Sequence, residues 1–141
     1  MEGNFDGFRA VATICCDLKD YARKADTPWF FGISTPLTSP TSEGLPTNDE
    51  AEELNRWEEI IEGEIGSEGK YVFVGRVSWK GYRELLYYVD SPQDAARKMK
   101  NLIQAGSTRP FAFTYKSDPD WTSVRIYLHE GLLGSSCREQ A

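Results

Sequence analysis

The stretch Tyr71–Val89, YVFVGRVSWKGYRELLYYV, decides the fold. Tyr71 to Val77 and Tyr82 to Val89 are dense in β-branched and aromatic residues, which suit a pleated surface, so both read as strands. Trp79-Lys80-Gly81 joins them as a tight hairpin, with glycine where a positive φ is needed.

On the N-terminal side of this hairpin the pattern is helical. Thr47 is an N-cap, and Glu50 three residues on makes a capping box, each side chain satisfying a free backbone donor of the first turn. Leu54, Trp57, Ile61 and Ile65 follow at spacings of three and four and form one apolar stripe, so the helix runs to about Ile65 and stops at Gly66. Ahead of it, Pro36 to Pro46 holds three prolines and a glycine among hydroxyl residues, which is loop chemistry of unusual length for a connector. Trp29 to Thr35 (WFFGIST) reads as a strand, Leu18 to Asp26 as a loop or short helical turn, and Phe8 to Cys16 (FRAVATICC) as a further strand.

On the C-terminal side, Ser91 caps a second helix with Pro92 at its first position, and Ala95, Met99, Leu102 and Ile103 mark its buried face before Gly106 ends it. Arg109 to Lys116 alternates Phe111, Phe113 and Tyr115 on one face, as a half-buried strand does. Asp118-Pro119 caps a short helix holding Trp121, Val124 and Leu128 on one side, and the tail from Gly131 reads as frayed. From the second strand onward the order is βαββαβ. The expectation is therefore an α+β, ferredoxin-like sandwich with an extra N-terminal strand and a short C-terminal helix, both main helices covering one face. At 141 residues one domain is expected over residues 1–141.

Composition removes whole classes of chemistry. The net charge of −6 argues against attraction to polyphosphate or anionic lipid, so nucleic acid is a disfavoured partner and membrane none. No apolar run approaches the roughly 20 residues of a membrane span, and MEGNFDGF lacks the pattern of a secretory signal. Three cysteines, two of them adjacent at Cys15 and Cys16, fit neither a disulfide framework nor a zinc site, so a reducing, cytoplasmic setting is expected. The single histidine, His129, has no nucleophile elbow to serve, and it reads as a cation near a helix C-terminus. Metal-ligand spacings and phosphate-binding glycine loops are absent, which leaves no cofactor and no catalytic residue to name. KYVFVGRV also lacks the aromatic signature of RNA-recognition modules, which share the βαββαβ order.

Charge distribution is the most informative feature. Between Glu43 and Glu68 ten acids stand against one base, Arg56, while the rest of the chain carries a small positive excess. With Leu54, Trp57, Ile61 and Ile65 inward, Asp49, Glu52 and Glu59 point outward and Glu53 and Ile60 occupy one flank. These five residues are the candidate docking face for a basic protein partner such as a toxin or nuclease, which the chain would bind and inhibit without catalysis. An alternative places a small ligand, or an enzyme site, in a sheet-face pocket at the hairpin using Arg76, Arg83 and Glu84, where guanidinium groups hold a carboxylate or phosphate. A second alternative uses Arg76, Trp79, Lys80, Tyr82 and Arg83 to stack and contact a nucleic-acid strand.

Three segments together resemble one family: EGLP at Glu43 to Pro46 ahead of the first helix, the VGR of Val74 to Arg76 with Gly81, Arg83 and Glu84, and the DPxW of Asp118 to Trp121. The chain is similar, over about Trp29 to Leu128, to a bacterial family called the domain of unknown function six-nine-five, which is associated with RraB, the protein regulator of ribonuclease E. The resemblance implies a ferredoxin-like α/β sandwich with no known enzymatic activity. It further implies a protein that binds and restrains a nuclease; immunity proteins that neutralise toxins are of the same small, acidic kind.

Overall fold

A computed structural model of the chain describes residues 2–5, 8–15, 21–67, 69–106 and 108–124. Among these residues, six strands and two α-helices follow in the order β1 (Glu2–Phe5), β2 (Phe8–Ile14), β3 (Trp29–Pro36), α1 (Asn48–Ile65), β4 (Tyr71–Trp79), β5 (Tyr82–Val89), α2 (Pro92–Ala105) and β6 (Ala112–Ser117), with 3-10 turns at Lys24–Asp26, where a short helical turn was expected, and at Thr122–Val124. The strands form one antiparallel sheet in the order β1-β2-β4-β5-β3-β6. An α+β architecture is thus established, and the neighbour order β4-β5-β3-β6 is consistent with a ferredoxin-like arrangement extended by β2 and β1.

The central hairpin forms as its sequence requires. Lys80 and Gly81 both have positive φ, 57° and 84°, and Trp79 pairs with Tyr82 across a two-residue turn whose twist matches the flanking strands. A register shift between Phe73 and Gly75 places a bulge in β4. Gly75 is needed there, because a Cβ would lie 2.5 Å from the Thr13 carbonyl oxygen of β2. At the other end of the chain, β1 is an element the sequence reading did not include. It pairs with β2 through Phe5 opposite Phe8, and the intervening Asp6-Gly7 is a hairpin dipeptide that could have revealed it.

Both helix boundaries follow their caps. Thr47 Oγ1 accepts from Glu50 N at 3.2 Å, Ser91 Oγ accepts from Asp94 N at 3.3 Å, and Gly106 ends α2 at φ 70°. Leu54, Trp57, Ile61 and Ile65 are buried, and Trp57 and Met99 belong to the same core cluster. The helix α1 lies on the sheet face that carries Arg76, and the Lys98 ammonium of α2 reaches Ser67 O just past the end of α1. Ile103 departs from expectation: it is 46% exposed. At 100° per residue it falls between Ala96 and Met99 around the helix, so its exposure comes from its place in the last turn, past the surface that α2 covers. Tyr115, on the edge strand β6, is 43% exposed while Phe111 and Phe113 are half-buried.

The segment after β6 is locked by Asp118. Its carboxylate accepts from Tyr88 Oη (2.6 Å), Thr122 N and Oγ1, and Ser123 N. Burial opposes the charge, yet these donors outweigh it and hold the carboxyl far below the usual carboxylate range. Trp121 then stacks on Tyr88 at 4.2 Å, so the expected cap and the burial of Trp121 and Val124 are found. Cys15 is buried. Cys16, Leu128, His129 and the tail from Gly131 lie outside the described residues.

Candidate functional site

Helix α1 carries acids of two kinds. Asp49, Glu52, Glu53 and Glu59 are exposed, and none forms an ion pair or hydrogen bond among the described residues. Ile60 stands among them 45% exposed. Glu50 and Glu58, in contrast, are buried and point into the molecule.

Glu58 meets Arg76 of β4 in a two-pronged pair, with Arg76 Nε 2.8 Å from Oε1 and Nη2 2.5 Å from Oε2. Glu50 does something the capping box did not foresee. Its backbone N–H uses the Thr47 hydroxyl, but its carboxylate turns back to the preceding loop and to a distant strand. Oε2 accepts from Thr38 N (2.6 Å) and from Arg109 Nη2 (2.6 Å), and Oε1 from Ser39 N (3.1 Å). Only half of the box therefore forms, because a half-buried guanidinium and two loop N–H groups outcompete one exposed backbone donor. Burial raises the Glu50 carboxyl, and these bonds more than offset it, leaving it below the usual carboxylate range. Arg109 also donates from Nε to Thr35 Oγ1 (3.1 Å) and from Nη2 to Pro36 O (2.9 Å). Sequence reading missed Glu50 and Arg109 as a unit; they are 59 residues apart, and nothing local links them.

The hairpin set divides. Along β5, Arg83 and Glu84 face opposite sides, since side chains alternate. The register pairs Ser78 with Arg83 and Val77 with Glu84, so Arg76 and Arg83 lie on the helix side while Trp79 and Glu84 lie on the other. These residues cannot line one sheet-face pocket, a correction to the alternative expectation. Arg83 is buried, donates from Nε to Ser78 Oγ at 2.7 Å, and burial pulls its guanidinium down to about 10. Arg76 is committed to Glu58. Neither guanidinium is set out for an incoming anion.

Beside the acidic face lies a groove of about 210 Å³ lined by Thr38, Glu53, Arg56, Trp57, Ile60, Thr108 and Arg109. Trp57 is its deepest element, 3% exposed and packed on Phe111 at 6.0 Å between ring centres. Its indole Nε1 is buried with no hydrogen-bond partner among the described residues. A buried N–H without an acceptor is uncommon and costly. The groove itself offers a cation on Arg56 and an apolar wall on Ile60, with Glu53 at its rim. Among the described residues no three His, Cys, Asp or Glu side chains gather at metal-binding distance, and no helix is long and apolar enough to cross a membrane.

These features describe a compact α+β scaffold that presents an acidic helix beside a groove lined by Trp57 and Arg56. Residues 2–129 match the Family of unknown function (DUF695), and the chain belongs to that family. The match takes in β1 and β2, which the resemblance of motifs, starting at Trp29, had left aside. No curated protein and no solved structure matches the chain.

Proposed function

We propose that this protein is a non-catalytic binding protein, built on a ferredoxin-like sandwich, that docks a basic protein partner through the outward face of α1. The observation that carries the reading is that unpaired Asp49, Glu52, Glu53 and Glu59 share one exposed face of α1 with Ile60, next to the groove lined by Arg56 and Trp57. Acids left without counter-charges speed the approach of a basic surface, and an apolar residue ringed by them supplies the anchor that holds it. A toxin or nuclease with a basic surface is the partner class that such a face would inhibit, and the likeness to the RraB-associated group adds weight to a nuclease. The inward-facing Glu50 and Glu58 take no part, because each is already clamped by an arginine.

A photo-crosslinking residue at Glu53 would capture the partner in its native cell extract, and surface plasmon resonance on the purified pair then measures the kinetics. Reversing Glu52, Glu53 and Glu59 together to Lys is expected to lower the on-rate at least tenfold at low salt, and Ile60→Asp to raise the off-rate. Kinetics unchanged in both variants would end this reading.

A further inference from the structure

The sheet face away from the helices holds a second feature, independent of α1. Gly32 sits in the middle of β3, where glycine weakens a strand and often marks the close approach of a ligand or another backbone. It is not among the glycines with positive φ, so space and not backbone geometry explains it. A Cβ on Gly32 would lie 3.0 Å from two ring carbons of Phe30 and 3.8 Å from Thr114 Oγ1. The Phe30 ring therefore leans across the glycine, and a hollow of about 130 Å³ opens beside it.

Register fixes what surrounds this hollow. Gly32 stands between Leu86 and Thr114, and Ser34 stands between Glu84 and Ala112. The two smallest residue types, Gly32 and Ala112, leave the space; Phe30 and Leu86 give it apolar walls. Among the described residues of the lining, Glu84 is the one that ionises. Neither an ion pair nor a hydrogen bond reaches its carboxylate among the described residues. Burial alone pushes that carboxyl above its ordinary value. Lys116 of β6, opposite Phe30 in the register, forms no ion pair with it.

A sheltered carboxylate beside an aromatic ring and two hydroxyls is complementary to an organic cation. We propose that this hollow binds a primary alkylammonium group, with Glu84 as its counter-ion, the Ser34 and Thr114 hydroxyl oxygens as acceptors and the Phe30 ring as a cation–π wall. The volume is close to that of a cavity of roughly 150 Å³ known to admit benzene, so a short alkyl chain fits within it. The ammonium can be offered by a free amine or by a lysine side chain of another protein.

Titration of the whole chain with n-butylammonium chloride, followed by backbone amide NMR, tests the site. Shifts are expected at Gly32, Ser34, Glu84 and Thr114, with none from n-butanol at equal concentration. Glu84→Gln should weaken binding at least tenfold while the remaining amide spectrum is retained. Gly32→Val, which fills the hollow, should abolish it; Thr114→Val, a gentler change on the edge strand, should weaken it severalfold in a fold that survives. Putrescine binding more tightly than Nα-acetyl-lysine methylamide would assign a free polyamine as the source, and the reverse order a protein lysine. Equal shifts from butanol and butylammonium, or an unchanged affinity in Glu84→Gln, would overturn the proposal.

Discussion

Beneath α1, Glu50 and Glu58 are buried and each is held by an arginine; on the far side of the same sheet, Glu84 is sheltered with no partner among the described residues. The carboxylates differ in direction of shift as well. Glu50 is held below the usual range by its donors, whereas Glu84 is pushed above it by burial. Burial by itself therefore does not mark a functional acid. The pairs under α1 explain themselves as fastenings between helix, loop and strand, while an unpaired acid in an apolar hollow has no structural duty to account for it.

The contrast can be broken at several points. The largest effect is expected from Trp57→Ala, which empties the core above the paired charges and should cost about 3 to 5 kcal/mol in urea unfolding. A cost below about 1 kcal/mol would show that the helix side is not the main core. Next, Arg109→Met strands the Glu50 carboxylate in a buried site and should cost about 3 kcal/mol, much of it recovered in the double variant with Glu50→Gln. Because the folded carboxyl of Glu50 lies below its unfolded value, its contribution is present at neutral pH and fades as pH falls below about 4. Arg109→Met should flatten that part of the stability profile, read from melting temperatures across pH 3 to 7. Glu84→Gln gives the smallest change and the opposite sign. Its folded carboxyl lies above the unfolded value, so ionisation works against folding as pH rises, and the variant should gain on the order of 0.5 kcal/mol at pH 7 and nothing near pH 3. A loss of stability at pH 7 would mean that Glu84 is engaged after all.

Much of this architecture was legible in the chain. Lys80-Gly81, the Thr47 and Ser91 caps, Gly106 and the stripe from Leu54 to Ile65 are local signals, and each appears where it was expected. The outward placement of Asp49, Glu52 and Glu59, with Glu53 and Ile60 on one flank, followed from helical angle alone, and all five are exposed. The division of Arg83 from Glu84 was also within reach, since consecutive strand residues face opposite sides. What stayed hidden was long-range. No spacing rule joins Glu50 to Arg109, or shows that Gly32 leaves room under Phe30, because both depend on which strands become neighbours. The strand β1 was missed for a different reason: four residues are too few to display alternation.

The loop from Leu37 to Pro46 has one further consequence. Leu37 N donates to Gly81 O and Gly81 N to Gly44 O, both at 2.8 Å, and Thr38 and Ser39 donate to Glu50. A Cβ on Gly44 would meet Gly81 N at 2.9 Å. Surface connectors normally accept added residues at little cost, because closing a somewhat longer loop costs little entropy. This one behaves as a measured strap between the tip of the hairpin and the first turn of α1. Lengthening it by a single residue between Ser39 and Gly44 would throw the two buckles out of step, so length variation among related chains should collect elsewhere on the surface and spare this segment.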